Sequence, residues 1–239
     1  MINKEVVYKK FGKRIDDYSE NAVVQKQMAK KLVSLLPRKQ FSSVLEIGSY
    51  TGFLTREISQ NIDYNSYLAI DVVEKSGEYL KKIDDKIEFQ KCDIENFETK
   101  QKFDLIISNA SLQWCSDFEG IIKKLLGALN NGGVLAISIF SPDNLKEIKE
   151  VFGVSLNYPD ETVIKKVFGE NSVIFKDEIS LKFDSPLDVL RHLKYTGVNS
   201  LNDLPMGYCR IKEALNILND RFDNTLTYYP IYIKNERKL

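Results

Sequence analysis

Apolar and polar positions along this chain follow two rhythms that alternate from residue 20 to residue 150. NAVVQKQMAKKLVSLL (21–36) repeats its apolar residues at helical spacing and stops at Pro37. SVLEIG (43–48) is then a short apolar run of strand type, and a helix is expected over 52–60. The pattern continues with a strand over SYLAID (66–71), a helix near 73–82 and a strand over KIEFQKCD (86–93). KFDLIISN (102–109) predicts a strand, 117–130 a helix, and GVLAISIF (133–140) a fifth strand. The Asn-Gly-Gly at 131–133 reads as the stop of the preceding helix. Short strands separated by helices predict an α/β fold, a doubly wound and mostly parallel sheet with helices on both faces. Ligands of such sheets bind outside the carboxyl ends of the strands, where the strand order reverses.

After residue 140 the rhythm changes. SPDNLKEIKEVFG and DETVIKKVFGE look helical, SVIFKDEISLKFD (172–184) reads as one strand, and SPLDVLRHLKYTGVN (185–199) opens with a Ser-Pro helix start. TLTYYPIYIK (225–234) reads as a late strand whose Pro230 points to a sheet edge. The expected organisation is a single domain over 1–239. It has an N-terminal helical segment (1–40), a ligand-binding core (41–141), a partly helical cap (142–171 and 185–222) and two late strands (172–184 and 225–234).

Composition narrows the class. The chain has 239 residues, 43% hydrophobic and 28% charged, with 34 basic against 34 acidic side chains, so its total charge gives no footprint for nucleic acid. The charge is uneven, however: residues 1–40 hold ten Lys and Arg against four Asp and Glu. That is either the solvated face of amphipathic helices or a docking face for an acidic partner. Three cysteines without C-x-x-C spacing and a single histidine read as reduced thiols without a zinc site, in a cytoplasmic protein. The N-terminal stretch MINKEVVYKKFGKR has no apolar run that could be a signal h-region, and the longest apolar stretches, such as VLAISIF, are too short to span a membrane.

The chemistry sits at the strand tips. VLEIGSYTGFLT (44–55) is a strand, a tight turn and the start of a helix. It lacks the G-x-x-x-x-G-K-[ST] of a phosphate loop and the G-x-G-x-x-G of a dinucleotide turn. What remains is acidic-x-G-x-x-x-G, with Glu46, Gly48, Ser49 and Gly52 as its members and Tyr50 in the middle. Asp71 ends the second strand, where a carboxylate accepts from a ribose diol. Asp93 and Ile94 end the third, placed for an adenine, and Asn109 ends the fourth, followed by ASLQW with Trp114. Each acidic tip alone also fits a helix N-cap or a solvated turn.

In these residues the chain resembles a class I S-adenosylmethionine-dependent methyltransferase, with its Rossmann-like sheet. More narrowly it resembles the malonyl-[acyl-carrier-protein] O-methyltransferases of biotin synthesis. FGKRIDDYSENAVVQKQMAKKL, DLIISNASLQWCSDF and SPLDVLRHLKYTGVN carry the narrower likeness, which spans nearly the whole chain. The family's turn reads like D-L-G-C-G-T-G-F-L-T, so Glu46 and Ser49 are mild changes and Tyr50 for glycine is the departure that matters. A side chain there must lean away from the cofactor.

The resemblance implies S-adenosylmethionine as cofactor, S-adenosylhomocysteine as product and no metal. It also implies methylation of the free carboxylate of a malonyl group on an acyl carrier protein. A carboxylate needs no general base, so the work is placement and exclusion of water. Tyr18 would roof the site as the catalytic-region aromatic, or simply pack, and Trp114 would lie against the adenosine or the methyl channel. Lys146, Lys149, Arg191 and Lys194 of the cap are the cationic candidates for the substrate carboxylate. His192 reads as a structural helix residue and Asn199 as a turn residue. Lys9, Lys10, Lys13 and Arg14 would meet the acidic carrier. Two rivals share the fold: a methyltransferase acting on another small acid or acceptor, and a non-catalytic assembly protein, supported by Tyr50 alone.

Overall fold

The computed structural model describes residues 4–169, 172–196 and 208–237. The chain opens with two helices, α1 (Lys4–Asn21) and α2 (Val23–Ser34), broken at Ala22, whose ψ of 51° leaves the helical region. β1 (Gln40–Ile47), α3 (Phe53–Asn61), β2 (Asp63–Asp71), α4 (Ser76–Lys81) and β3 (Glu88–Lys91) form the first half of the core. β4 (Phe103–Asn109), α5 (Phe118–Gly127) and β5 (Leu129–Phe140) follow, with a 3-10 turn at Leu112–Trp114 between β4 and α5. The remainder is α6 (Lys146–Phe152), α7 (Glu161–Phe168), β6 (Val173–Lys176), β7 (Ile179–Lys182), α8 (Pro186–Tyr195), α9 (Tyr208–Phe222), β8 (Thr225–Tyr228) and β9 (Pro230–Glu236).

The main sheet runs β3-β2-β1-β4-β5-β9-β6, and β1 to β5 are mutually parallel while β9 pairs antiparallel with both β5 and β6. The chain moves outward from β1 to β3 and then returns to β4 on the other side of β1. The order therefore reverses between β1 and β4, and their carboxyl ends open a crevice there.

Strand alternation sorts the core into two layers. Val44, Leu105, Ile107, Val134, Ala136 and Tyr232 pack against Met28 and Leu32 of α2, Leu54 and Ile58 of α3, Val189 of α8 and Leu218 of α9. Leu45, Ile106, Leu135, Ile137, Ile231 and Ile233 pack on Ile121 and Leu125 of α5 and on Ile164, Val167 and Phe168 of α7. Because α7 is buried in this second layer, it differs from the cap expected over 142–171.

Several expectations are corrected. The helix before β5 stops at Gly127, and Asn-Gly-Gly belongs to β5. Gly132 takes φ +71°, the register against β4 shifts between Phe103 and Leu105, and a Cβ on Gly133 would stand 2.9 Å from the Phe103 carbonyl oxygen. The glycines thus make an irregular stretch through which the strand continues. Residues 172–184 are two strands: β6 pairs with β9, whereas β7 pairs with β8 in a separate two-stranded sheet. Residues 225–234 likewise divide, into β8 and β9. Pro230 opens β9, which lies inside the sheet. At the first residue of a strand the missing N–H costs no ladder bond.

Candidate functional site

The turn after β1 is shaped by contacts that only glycine permits at two positions. Gly48 has φ +74°, and a Cβ there would fall 2.1 Å from Ser111 Oγ; its N–H donates to the Ile70 carbonyl at 2.8 Å. Gly52 has φ +79° at the start of α3, where a Cβ would meet Ile83 Cδ1 at 2.4 Å. Between them Tyr50 also adopts positive φ, +43°, at a strain of order 1–2 kcal/mol for a side chain of this size. Its surroundings offset that cost. Its N–H donates to Asp71 Oδ2 at 2.9 Å and its hydroxyl to the Phe11 carbonyl at 2.8 Å. Its ring meets those of Tyr18 and Phe11 edge-on, at 4.6 and 5.5 Å. The side chain leans up into α1.

Helix α1 thereby becomes a roof over the crevice. Tyr8 donates to Asp93 Oδ2 at 2.7 Å, Asp16 pairs with Lys75 at 2.7 Å and accepts from the Tyr79 hydroxyl, and Arg14 donates to the Lys194 carbonyl. Phe11 stands edge-on to Trp114 at 5.8 Å. Beneath lies a cleft open to solvent, with about 1040 Å3 of empty space counted out to its mouth.

Eight of the residues singled out from the sequence line this cleft: Tyr18, Gly48, Tyr50, Asp71, Asp93, Ile94, Asn109 and Trp114. Asp71 is buried, and its oxygens accept from the amides of Tyr50 and of Val73 (2.8 Å). Burial pushes its carboxyl up to about 6, with those amides pulling the other way. Asp93 is held by Tyr8 and by the Glu95 amide at 3.0 Å, while Ile70, Val72, Val73 and Ile94 form an apolar slot beside it. Asn109 donates to the Gln25 carbonyl at 3.0 Å and accepts from Ser138 at 2.6 Å, which fixes its amide.

The other expected residues stand elsewhere. Glu46 is fully buried away from the cleft, where its carboxylate accepts from Thr55 at 2.6 Å and from the Tyr67 hydroxyl, joining β1 to α3 and β2. Burial pushes it up to about 7 against those two hydrogen bonds. It points into the layer of α3 because residue 46 is on the opposite strand face from residues 45 and 47. Ser49 is buried outside the cleft, and Gly52 shapes the start of α3.

The four cap cations are corrected too: Lys146, Lys149, Arg191 and Lys194 are all exposed, and none lines the cleft. Lys146 donates to the Tyr229 hydroxyl at 2.8 Å and Arg191 pairs with Asp188 at 2.8 Å. Long cationic side chains on a helix keep their heads in water unless a buried partner compensates their desolvation. His192 is buried with its Nε2 2.8 Å from the Tyr228 hydroxyl, and burial pushes it down to about 4. Lys9 and Lys13 are exposed on α1, whereas Arg14 is half-buried and tied to α8. The Lys10 side chain and Asn199 lie outside the described residues.

Whether this cleft suits S-adenosylmethionine is tested by its unsatisfied atoms. Gln25 Oε1 and Gln113 Oε1 are buried acceptors without a hydrogen-bond partner, and both side chains line the cleft near the β1 and β4 tips. A ligand bearing an ammonium and hydroxyl donors supplies what they lack, and the acidic tips of β2 and β3 match a ribose and an adenine. The residues fit the group. Gln25 was legible only as a polar residue on the buried stripe of an amphipathic helix. Tyr8, Asn144, Tyr158, Thr196 and Tyr228, which also line the cleft, carried no local signal, and Phe11 entered only as the first residue of a stretch that carries the likeness.

Comparison with known proteins agrees with this geometry. A family described as a methyltransferase domain matches residues 45–137. The malonyl-[acyl-carrier protein] O-methyltransferase of Calditerrivibrio nitroreducens is 35% identical, with 93% of this chain and 92% of that protein covered. The protein of the same name from Chlorobium luteolum is 32% identical, with 97% and 95% covered. Among solved structures, the N-methyltransferase NodS of Bradyrhizobium japonicum, in complex with S-adenosylhomocysteine, superposes with a TM-score of 0.57 at 15% identity, covering 97% of this chain and 98% of that one. The YcgJ protein of Bacillus subtilis superposes at 0.63 with 12% identity, covering 89% and 99%. With relatives this similar over nearly the full length, the chain belongs to the malonyl-[acyl-carrier protein] O-methyltransferase family.

Proposed function

We propose that this protein is an O-methyltransferase that uses S-adenosylmethionine to methylate the free carboxylate of a malonyl group carried on an acyl carrier protein, the early step of biotin synthesis. The bound cofactor supplies an electrophilic methyl group on a sulfonium. An acceptor carboxylate, already ionised, would take that methyl group without giving up a proton. Asp71 would hold the ribose, Asp93 and Ile94 the adenine, and Gln25 and Gln113 the donors of the amino-acid end. Trp114 and Tyr18 would exclude water from the reacting atoms.

One observation carries the reading. Apart from Asp71 and Asp93, which this reading uses for the ribose and the adenine, the described residues lining the cleft include no Asp, Glu, His or Lys, so no carboxylate or imidazole is left to take a proton from the acceptor. An acceptor that is already ionised needs none. We place the protein in the cytoplasm; among the described residues no helix is long and apolar enough to cross a membrane. The exposed Lys9 and Lys13 of α1, with Lys10 and Arg14 beside them in sequence, are the proposed docking face for the acidic carrier.

The test is calorimetric titration with S-adenosylmethionine and S-adenosylhomocysteine, then labelled-methyl transfer to malonyl-carrier. Micromolar binding of both and a base-labile ester on the carrier are expected. A folded protein that binds neither would sink the methyltransferase reading and promote a scaffold.

A further inference from the structure

The end of the cleft over β5 holds polar atoms outside the set assigned above to the cofactor. Phe140 closes β5, and the rings of Tyr158 and Tyr228 flank it at centroid distances of 6.2 and 5.8 Å. All three line the cleft, with Asn144 and Thr196 beside them. Each phenol oxygen already has a nitrogen neighbour at hydrogen-bond distance. The Tyr229 amide donates to Asn144 Oδ1 at 3.2 Å, which turns Asn144 Nδ2 towards the Tyr158 hydroxyl, also at 3.2 Å. Tyr228 Oη lies 2.8 Å from His192 Nε2.

Burial holds His192 down to about 4, so the ring is neutral at pH 7 and carries one N–H. With that hydrogen on Nε2, it donates to Tyr228. Both phenols then keep their own hydrogens for a ligand, and burial raises both above the ordinary tyrosine range, Tyr158 to about 12. Thr196 gives its hydrogen to the His192 carbonyl at 2.9 Å.

Resting on the methyltransferase reading, we propose that Tyr158 and Tyr228 hold the acceptor's carboxylate through two neutral hydrogen bonds, in place of a cationic anchor. The chemistry favours such an arrangement. The carboxylate's negative charge is consumed as the ester forms, so a guanidinium would stabilise the starting ion more than the transition state. Two phenols position the group and leave a lone pair free for the methyl carbon. They also discriminate: a neutral ester or a methyl group accepts these bonds weakly or not at all, so product leaves and acids are preferred.

The experiment compares the wild-type full-length protein with Tyr158→Phe and Tyr228→Phe. It measures KM and kcat for malonyl-carrier, S-adenosylhomocysteine affinity by calorimetry, and competition by acetyl-carrier, which lacks the carboxylate. Each substitution is expected to raise KM about tenfold or more, the value of a hydrogen bond to a charged group. Cofactor affinity is expected to stay within about twofold of wild type, and the preference for malonyl- over acetyl-carrier to shrink by the same factor as KM. Unchanged KM in the variants, or cofactor affinity falling in step with KM, overturns the proposal. A wild-type protein that binds S-adenosylhomocysteine but leaves malonyl-carrier unmethylated overturns the acceptor assignment itself, and the proposal with it. If Tyr228→Phe fails to fold, Tyr158→Phe decides, because it gives up only the contact with Asn144.

Discussion

Two side chains beneath the roof explain how an unusual turn stays intact. Tyr50 stands at φ +43° where the resemblance calls for glycine, and it is held there by Asp71 and by the Phe11 carbonyl. Tyr50→Phe leaves that carbonyl without its donor and is expected to lower stability by about 1–3 kcal/mol, read by denaturant unfolding. Tyr50→Gly relieves the backbone strain but frees α1, so S-adenosylhomocysteine affinity should fall even where global stability does not. Glu46 gives the second prediction. Its folded pKa of about 7 lies above the ordinary glutamate value of 4.5, so between those values the native state binds more protons than the unfolded chain. Its contribution to stability therefore falls as pH rises from about 4.5 to about 7 and is level above that. His192, lowered from 6.5 to about 4, acts oppositely, costing stability as pH falls through that window. The stability of Glu46→Gln relative to wild type should rise from pH 4.5 to 7 and then level off; a constant difference over that range would exclude a raised pKa.

Helix α1 is the element on which the site depends most; its sequence shows a basic amphipathic face and, through the resemblance, Tyr18, but not which of its other residues turn inward. Its inward residues, Tyr8, Phe11 and Tyr18, reach Asp93, Trp114 and Tyr50, so it couples the tips of β1, β3 and β4. Phe11→Ala should weaken S-adenosylhomocysteine binding about tenfold and raise hydrogen exchange in α1, because one aromatic anchors both Tyr50 and Trp114. The outward face predicts something separate. Lys9→Glu with Lys13→Glu should raise KM for malonyl-carrier at low salt, with the difference shrinking as salt screens it. Malonyl-CoA, which lacks the acidic protein surface, should be methylated as by wild type. An effect of equal size on both substrates would place these lysines in the site and not on a docking face.

The assembled molecule turns ligand binding into stability. S-Adenosylhomocysteine at a hundred times its Kd should add about 2.7 kcal/mol, or about 5–10 °C in Tm for a chain of this length, measured by thermal unfolding. Failure to shift Tm at saturating ligand would contradict a preformed cleft. The parallel core and its strand tips were legible because periodicity and glycine placement are local: 43–48, 66–71, 86–93 and 102–109 each carry their own signal, Asp71 and Asn109 stand where β2 and β4 end, and Asp93 follows two residues after β3. Where two readings of one local pattern competed, neighbours decided. Asn-Gly-Gly continues a strand because Phe103 lies alongside, and Pro230 enters the sheet because it opens β9. Glu46 belongs to a motif in sequence but to the layer of α3 in space, since strand alternation turns it away from the cleft. The cations of the cap looked suitable for an anionic substrate, yet desolvation keeps their heads in water, and neutral tyrosines from distant segments stand in the cleft instead. The chain's local patterns thus specified the sheet and the cofactor end of the site. The roof and the acceptor end arise from contacts between residues far apart in sequence, as between Tyr8 and Asp93 or His192 and Tyr228, and such contacts exist only once the chain has packed.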